Sequence, residues 1–71
     1  MTRAIQHAAA DKARIFFCVA PDFTAAQVNS CARSMAQELA AEFGIALPVA
    51  RFRMLRAMEE HAANKGIKVA A

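Results

Sequence analysis

The chain contains neither tryptophan nor tyrosine, and its 71 residues include only two cysteines, two glycines and two prolines. Two cysteines 13 positions apart cannot build a disulfide-rich scaffold, so a reducing compartment is the simpler expectation. Two isolated glycines exclude a glycine-rich phosphate-binding loop. Charged residues interrupt every apolar run, so we expect neither a signal peptide nor a membrane span, and we expect a soluble cytoplasmic protein.

Large apolar side chains are also scarce, because alanine accounts for 19 of the 41 hydrophobic residues. A chain of this length forms one small domain, here residues 1–71, and buries only about 60% of its unfolded surface. The sequence therefore predicts a marginal core, which a homodimer would complete by packing the helices of two chains together.

The segment from about 24 to 43 carries both a start and a stop signal for a helix. Thr24 and Gln27 form a T-x-x-Q capping box, and Gly44 stands where a left-handed residue commonly ends a helix. Between these signals the apolar residues recur at three- and four-residue spacing, which is typical of an amphipathic helix. The sequence therefore predicts one long helix with defined ends.

A second helix is predicted over about 48–64. Pro48 suits the first helical position, and Lys65-Gly66 marks the end. The fold class is therefore mainly α, with a capped amphipathic helical hairpin at its centre. The large residues predicted to pack in the core or in a dimer interface are Val28, Met35, Leu39, Phe43, Phe52, Leu55 and Met58.

The two ends of the chain are predicted to be less regular. β-Branched and aromatic residues over about 14–20 favour a short N-terminal strand, and residues 1–12 form a loose or partly helical arm. A single helix from Arg3 to Val19 is the alternative, because periodicity does not separate the two in a short apolar run. Residues 67–69 form a candidate second strand, which would pair with residues 15–19.

The sequence offers little for catalysis or for metal binding. His7, Cys18, Cys31 and His61 lack the close pair spacing of a zinc site. Adjacent glutamates, at 59 and 60, point about 100° apart on a helix, which does not suit paired acid and base work. We therefore expect no enzyme, no metal, no cofactor and no small-molecule substrate.

Basic residues concentrate in the last third, where residues 48–71 hold five basic and two acidic side chains. Three arginines occupy the first half of the second helix, although positive charge is disfavoured near a helix N-terminus. Arg53 and Arg56 share a face, whereas Arg51 is turned about 200° from Arg53. A solvated face with an Arg56–Glu60 pair is the alternative to a binding site. The candidate partner-binding residues are Arg53, Arg56, Arg51, Lys65 and Lys68.

Two small DNA-binding folds fit this sequence poorly. The stretch from Leu39 to Met54 loosely resembles a helix-turn-helix, but Arg53 falls where that motif has an apolar residue. A ribbon-helix-helix would present a mostly apolar strand, residues 14–19, to the bases. The sequence therefore indicates no known family.

Two functional hypotheses remain. The first is a dimeric nucleic-acid-binding regulator whose basic second helix contacts phosphates, and the clustering of the basic residues favours it slightly. The second is a stand-alone protein-interaction module, an inhibitor or adaptor of the kind that mobile elements encode, which binds an acidic protein surface. A flat basic strip would favour the first, and arginines around an apolar patch would favour the second.

Overall fold

A computed structural model describes residues 2–19 and 23–70 of the chain. Three helices account for most of this length: α1 spans Thr2–Val19, α2 spans Ala25–Phe43 and α3 spans Leu47–Lys65. Two strands of two residues each complete the order, with β1 at Phe23–Thr24 and β2 at Val69–Ala70. The mainly α fold and its central helical hairpin are as predicted.

Helix α1 corrects the prediction for the N-terminal third. Residues 14–19 continue the helix and do not form a strand, and residues 2–12 belong to the same helix and not to a loose arm. The alternative reading, one helix from Arg3 to Val19, is the right one. Ala20, the last residue of the predicted strand, lies outside the described residues.

A buried stripe explains why the helix wins over the strand. Ile5, Ala9, Ala13 and Phe17 recur every four residues and are all at most 7% exposed. A helix places such positions on one face. A strand over 14–20 would place Ile15 and Phe17 on the same face, yet Ile15 is 59% exposed and Phe17 is buried. Packing of this stripe therefore overrides the local β propensity of residues 15–17.

Both predicted ends of α2 are confirmed. The backbone N–H of Gln27 donates to Oγ1 of Thr24 over 3.2 Å, and the backbone N–H of Thr24 donates to Oε1 of Gln27 over 2.8 Å. At the other end Gly44 has φ 64° and ψ 36°, and its N–H donates to the Ala40 carbonyl. Ile45 also donates to this carbonyl, over 3.2 Å, which closes the helix end.

Helix α3 begins one residue earlier than predicted, so Pro48 occupies the second helical position and not the first. The residue before the helix, Ala46, has no side chain that can accept a hydrogen bond from the first turn. Gly66, with φ 67°, ends the helix as predicted, and its N–H donates to the carbonyls of Ala62 and Ala63.

Alanine supplies half of the core. Of the twelve buried hydrophobic residues among those described, six are alanines that lie in all three helices. Small side chains let helix axes approach closely, so these stripes fill the interior by proximity and not by side-chain volume. The largest fully buried side chains are Leu39, Met54 and Met58.

The predicted packing residues divide into three groups. Val28, Leu39 and Met58 are buried, while Met35, Phe43 and Leu55 are half-buried and pack against the core. Phe52 corrects the predicted inward face of α3, since it is 64% exposed. The buried stripe of α3 consists of Ala50, Met54, Met58 and Ala62.

The two short strands pair with each other, and contacts between α1 and α3 show the relative directions of these helices. β1 and β2 are parallel, with Phe23 opposite Val69 and Thr24 opposite Ala70. The predicted pairing of residues 67–69 with residues 15–19 is wrong, because the latter are helical. Arg3, near the start of α1, lies in one groove with Phe52 and Arg53 of the first half of α3, and Phe17, near the end of α1, stacks on His61 of the second half. Helices α1 and α3 therefore run in the same direction. Helix α3 is the common neighbour, because both α1 and α2 pack more extensively on α3 than on each other.

Candidate anion-binding groove

A groove lies between the N-terminal half of α1 and the middle of α3, and its volume is about 440 Å³. The parallel course of the two helices places the first residues of α1 beside the first half of α3. We call this feature the α1–α3 groove. Its polar and aromatic lining consists of Arg3, Gln6 and His7 from α1 and of Phe52, Arg53, Arg56, Glu60, His61 and Asn64 from α3.

Positive charge predominates in the groove, where three arginines line the walls against one glutamate. The guanidinium group remains charged at any physiological pH and offers a planar fork of N–H donors. This fork matches the oxygens of a phosphate or a carboxylate, which it can bind through two parallel hydrogen bonds. The groove is therefore chemically suited to an anionic partner.

One of the three arginines is engaged in an ion pair. The Nε atom of Arg56 donates to Oε1 of Glu60 over 3.2 Å, which is the i,i+4 pairing that the sequence allowed. Both side chains are about two-thirds exposed, at 68% and 64%, so the pair contributes only a few tenths of a kcal/mol. A stronger anionic ligand can therefore compete with Glu60 for Arg56.

The other two groove arginines have different surroundings. Arg3 is exposed in the first turn of α1, and Arg53 is half-buried on α3. Within residues 2–19 and 23–70, no carboxylate forms a salt bridge with either of them. Their donors are thus open to an incoming anion.

The candidate basic residues of the sequence fall into two places. Arg53 and Arg56 line the groove together, and Arg51 is exposed elsewhere on α3, in keeping with its different direction around the helix. Lys65 and Lys68 are exposed at the C-terminal end of α3 and beyond it, outside the groove lining. Whether these residues contribute to binding stays a prediction.

Sequence reasoning missed Arg3, because residues 1–12 were assigned to an arm with no defined face. Had the alternative helix been followed, Arg3, Gln6, His7 and Ala10 would have shared one side of α1 by their three- and four-residue spacing. These four residues do line the groove. The periodic signal was therefore present, but the helix assignment was needed to use it.

The two histidines of the chain also line this groove. The ring of His61 stacks on that of Phe17, with 5.5 Å between centroids and 10° between planes. Phe17 in turn belongs to an aromatic cluster with Phe16 and Phe23, at centroid distances of 4.9 and 5.3 Å. This cluster holds His61 at the wall of the groove and ties α1 to α3.

The thiols lie apart from the groove. Cys18 is exposed on α1, Cys31 is half-buried on α2, and both are free. No three His, Cys, Asp or Glu side chains of the described ranges come together as a metal site would require.

Comparison of the chain with protein families, with curated proteins and with solved structures finds no match. Over the same described residues, no helix combines the length and the hydropathy that crossing a membrane requires. The function must therefore be argued from the groove and from the surface around it.

Proposed function

We propose that this chain is a small non-enzymatic binding protein, and specifically a nucleic-acid-binding regulator that acts as a homodimer. The observation that carries the proposal is the convergence of Arg3 from α1 with Arg53 and Arg56 from α3 in one groove. Residues 50 positions apart in sequence contribute to the same groove, so the positive charge belongs to the fold and not to one helix alone. Arginines that converge in this way bind phosphates through charge and geometry together.

The remaining lining suits a nucleic acid as well. Gln6 and Asn64 supply amide groups that both donate and accept hydrogen bonds, and Phe52 offers an exposed aromatic face at the edge of the groove. Proteins bind single-stranded nucleic acids through such combinations of basic and aromatic side chains. Binding to the phosphates of a duplex requires only the basic side chains.

A specific observation favours a second candidate, a protein-interaction module that binds an acidic protein surface. Phe52 is 64% exposed and lies beside Arg56, so an apolar anchor stands among basic residues. Exposed aromatic and arginine side chains together are typical of energetically important positions in protein interfaces. The same groove would then receive carboxylates in place of phosphates.

Fluorescence anisotropy with a labelled duplex and a labelled single strand, titrated at several salt concentrations, tests the first candidate. We expect binding that weakens steeply with salt, because each phosphate contact contributes a slope of about −0.9 to log K against log salt. In the double variant Arg53→Ala/Arg56→Ala the slope should be shallower by about 2 if both arginines contact phosphates. Arg3→Ala should reduce it by about 1.

The matched control is Lys65→Ala/Lys68→Ala, which removes the same two charges outside the groove. A smaller change in slope than in the arginine variant supports the groove as the binding site. Equal changes would mean that net charge drives the binding, and no binding to either probe at low salt would reject nucleic acid. In that case the wild-type protein is used to search for an acidic protein partner. The Phe52→Ala variant and the arginine variant serve as controls that should bind this partner more weakly.

A further inference from the structure

The side of α3 opposite its buried stripe carries a periodic strip of exposed residues. Val49 and Phe52 are 47% and 64% exposed, and Arg56, Glu59 and Ala63 continue the strip through solvent-exposed positions. The spacings of three, four, three and four residues keep these positions on one face of the helix. We call these five residues the outer strip.

Charge is unevenly distributed along α3. The first half carries Arg51, Arg53 and Arg56, Glu59 and Glu60 follow them, and Lys65 lies in the last turn. On the outer strip Arg56 and Glu59 are neighbours three residues apart. The strip thus has a basic and an acidic position side by side, which makes it complementary to its own reverse.

We propose that a second copy of this chain docks on the outer strip, with the two α3 helices antiparallel. Such a contact is isologous, so the same residues of both copies take part. In the register that the charges favour, Arg56 of each copy meets Glu59 of the other and Phe52 packs on Ala63 of the other. The bulky ring then lies against the smallest side chain of the strip.

The symmetry of this contact determines where the two α1–α3 grooves lie. A two-fold axis that relates antiparallel neighbours is perpendicular to the helices and to the line between them. A groove at the side of one outer strip is therefore repeated on the same side of the dimer. Phe52 and Arg56 belong both to the groove and to the outer strip, so in the dimer they take part in the contact, and Arg3 and Arg53 are the groove arginines outside the strip. The inference rests on the homodimer of the proposed function and assigns its contact surface. It is tested without nucleic acid, so its failure is distinguishable from a failure of the grooves to bind nucleic acid.

Sedimentation equilibrium without nucleic acid tests the contact. One helix face buries less than the about 800 Å² per partner of a standard interface, so we expect a reversible dimer. Mass should rise from monomer to dimer between ~1 μM and ~500 μM protein. A monomer at every concentration overturns the proposal and leaves the outer strip to a different protein.

Charge reversal then tests the register. Glu59→Arg should raise the dissociation constant about tenfold or more, because each dimer loses two attractions and gains two repulsions. Glu42→Arg is the matched control, since it makes the same charge change at an exposed position of α2 and should have little effect. The double variant Arg56→Glu/Glu59→Arg should restore dimerisation, because it exchanges the two charges of the pair.

Disulfide trapping at a protein concentration where the dimer is populated tests the register, because only cysteines that face each other in the dimer form a bond. With Cys18→Ser and Cys31→Ala as background, the double variant Phe52→Cys/Ala63→Cys should oxidise to a covalent dimer. The two positions are about 16 Å apart along one helix, which excludes a bond within a chain. Failure to form this dimer, or equal dissociation constants for Glu59→Arg and Glu42→Arg, overturns the proposed contact.

Discussion

Leu39 carries an unusual share of the core because so much of that core is alanine. It is fully buried on α2, and only Met54 and Met58 on α3 are comparable in size and burial among the described residues. Truncation of a side chain in this position leaves a cavity that neighbouring alanines are too short to fill. Stability at the residue scale therefore depends on a few positions.

We expect Leu39→Ala to lower the free energy of unfolding by about 2–5 kcal/mol, because it loses burial and leaves a cavity. Leu47→Ala is the matched control, since Leu47 is 40% exposed at the start of α3 and its truncation should cost less than about 1 kcal/mol. Urea unfolding monitored by circular dichroism measures both values. Similar losses in the two variants would contradict the assignment of Leu39 to the core.

Sequence patterns resolved some residues of α3 and not others. The three-residue spacing of Phe52, Leu55 and Met58 placed Phe52 inward, yet Met54 is fully buried and Phe52 is 64% exposed. The error arose because Ala50 was not counted as a core residue. Once Ala50 is counted, the four-residue spacing through Met54 and Met58 to Ala62 defines the buried face. The placement of Arg53 and Arg56 on one face of α3 required only helix geometry, and both residues do line the groove.

At the scale of elements, local sequence signals predicted where helices end better than they predicted whether a segment is helix or strand. The capping box at Thr24 and the left-handed glycines at 44 and 66 are all present, because each acts through neighbouring backbone groups. The identity of residues 14–19 depended on packing against α3, which a short stretch of sequence does not contain. The groove could not be predicted for the same reason, because part of its lining belongs to α1.

The capping box should contribute measurably to α2. We expect Thr24→Ala to lower the free energy of unfolding by about 1 kcal/mol, since the Gln27 N–H loses its acceptor. Ser30→Ala changes an exposed residue within the helix and should stay within about 0.5 kcal/mol of the wild type. Equal effects in a thermal or urea melt would mean that the cap is not formed in solution.

The core and the groove of the whole molecule both depend on α1, although residues 1–12 were predicted to form a loose or partly helical arm. Four core residues belong to this helix, and the groove loses one wall without it. We expect the fragment 23–71 to lose cooperative thermal unfolding, because removal of α1 exposes the buried faces of α2 and α3. Circular dichroism melts of the fragment and of the full chain measure this difference. A fragment that melts with the same midpoint and steepness would show that α1 is dispensable.

The alanine stripes have a further consequence for the uniqueness of the native state. A stripe that repeats the same small residue every four positions is nearly unchanged when a helix slides by four residues, about 6 Å along its axis. Such a stripe brings helices together but carries little information about their alignment. On α1 that information resides in the larger side chains at the two ends of the stripe, Ile5 and Phe17. Replacement of both by alanine would leave a helix that still binds its neighbours but in more than one alignment, so these two residues specify a single structure more than they stabilise it.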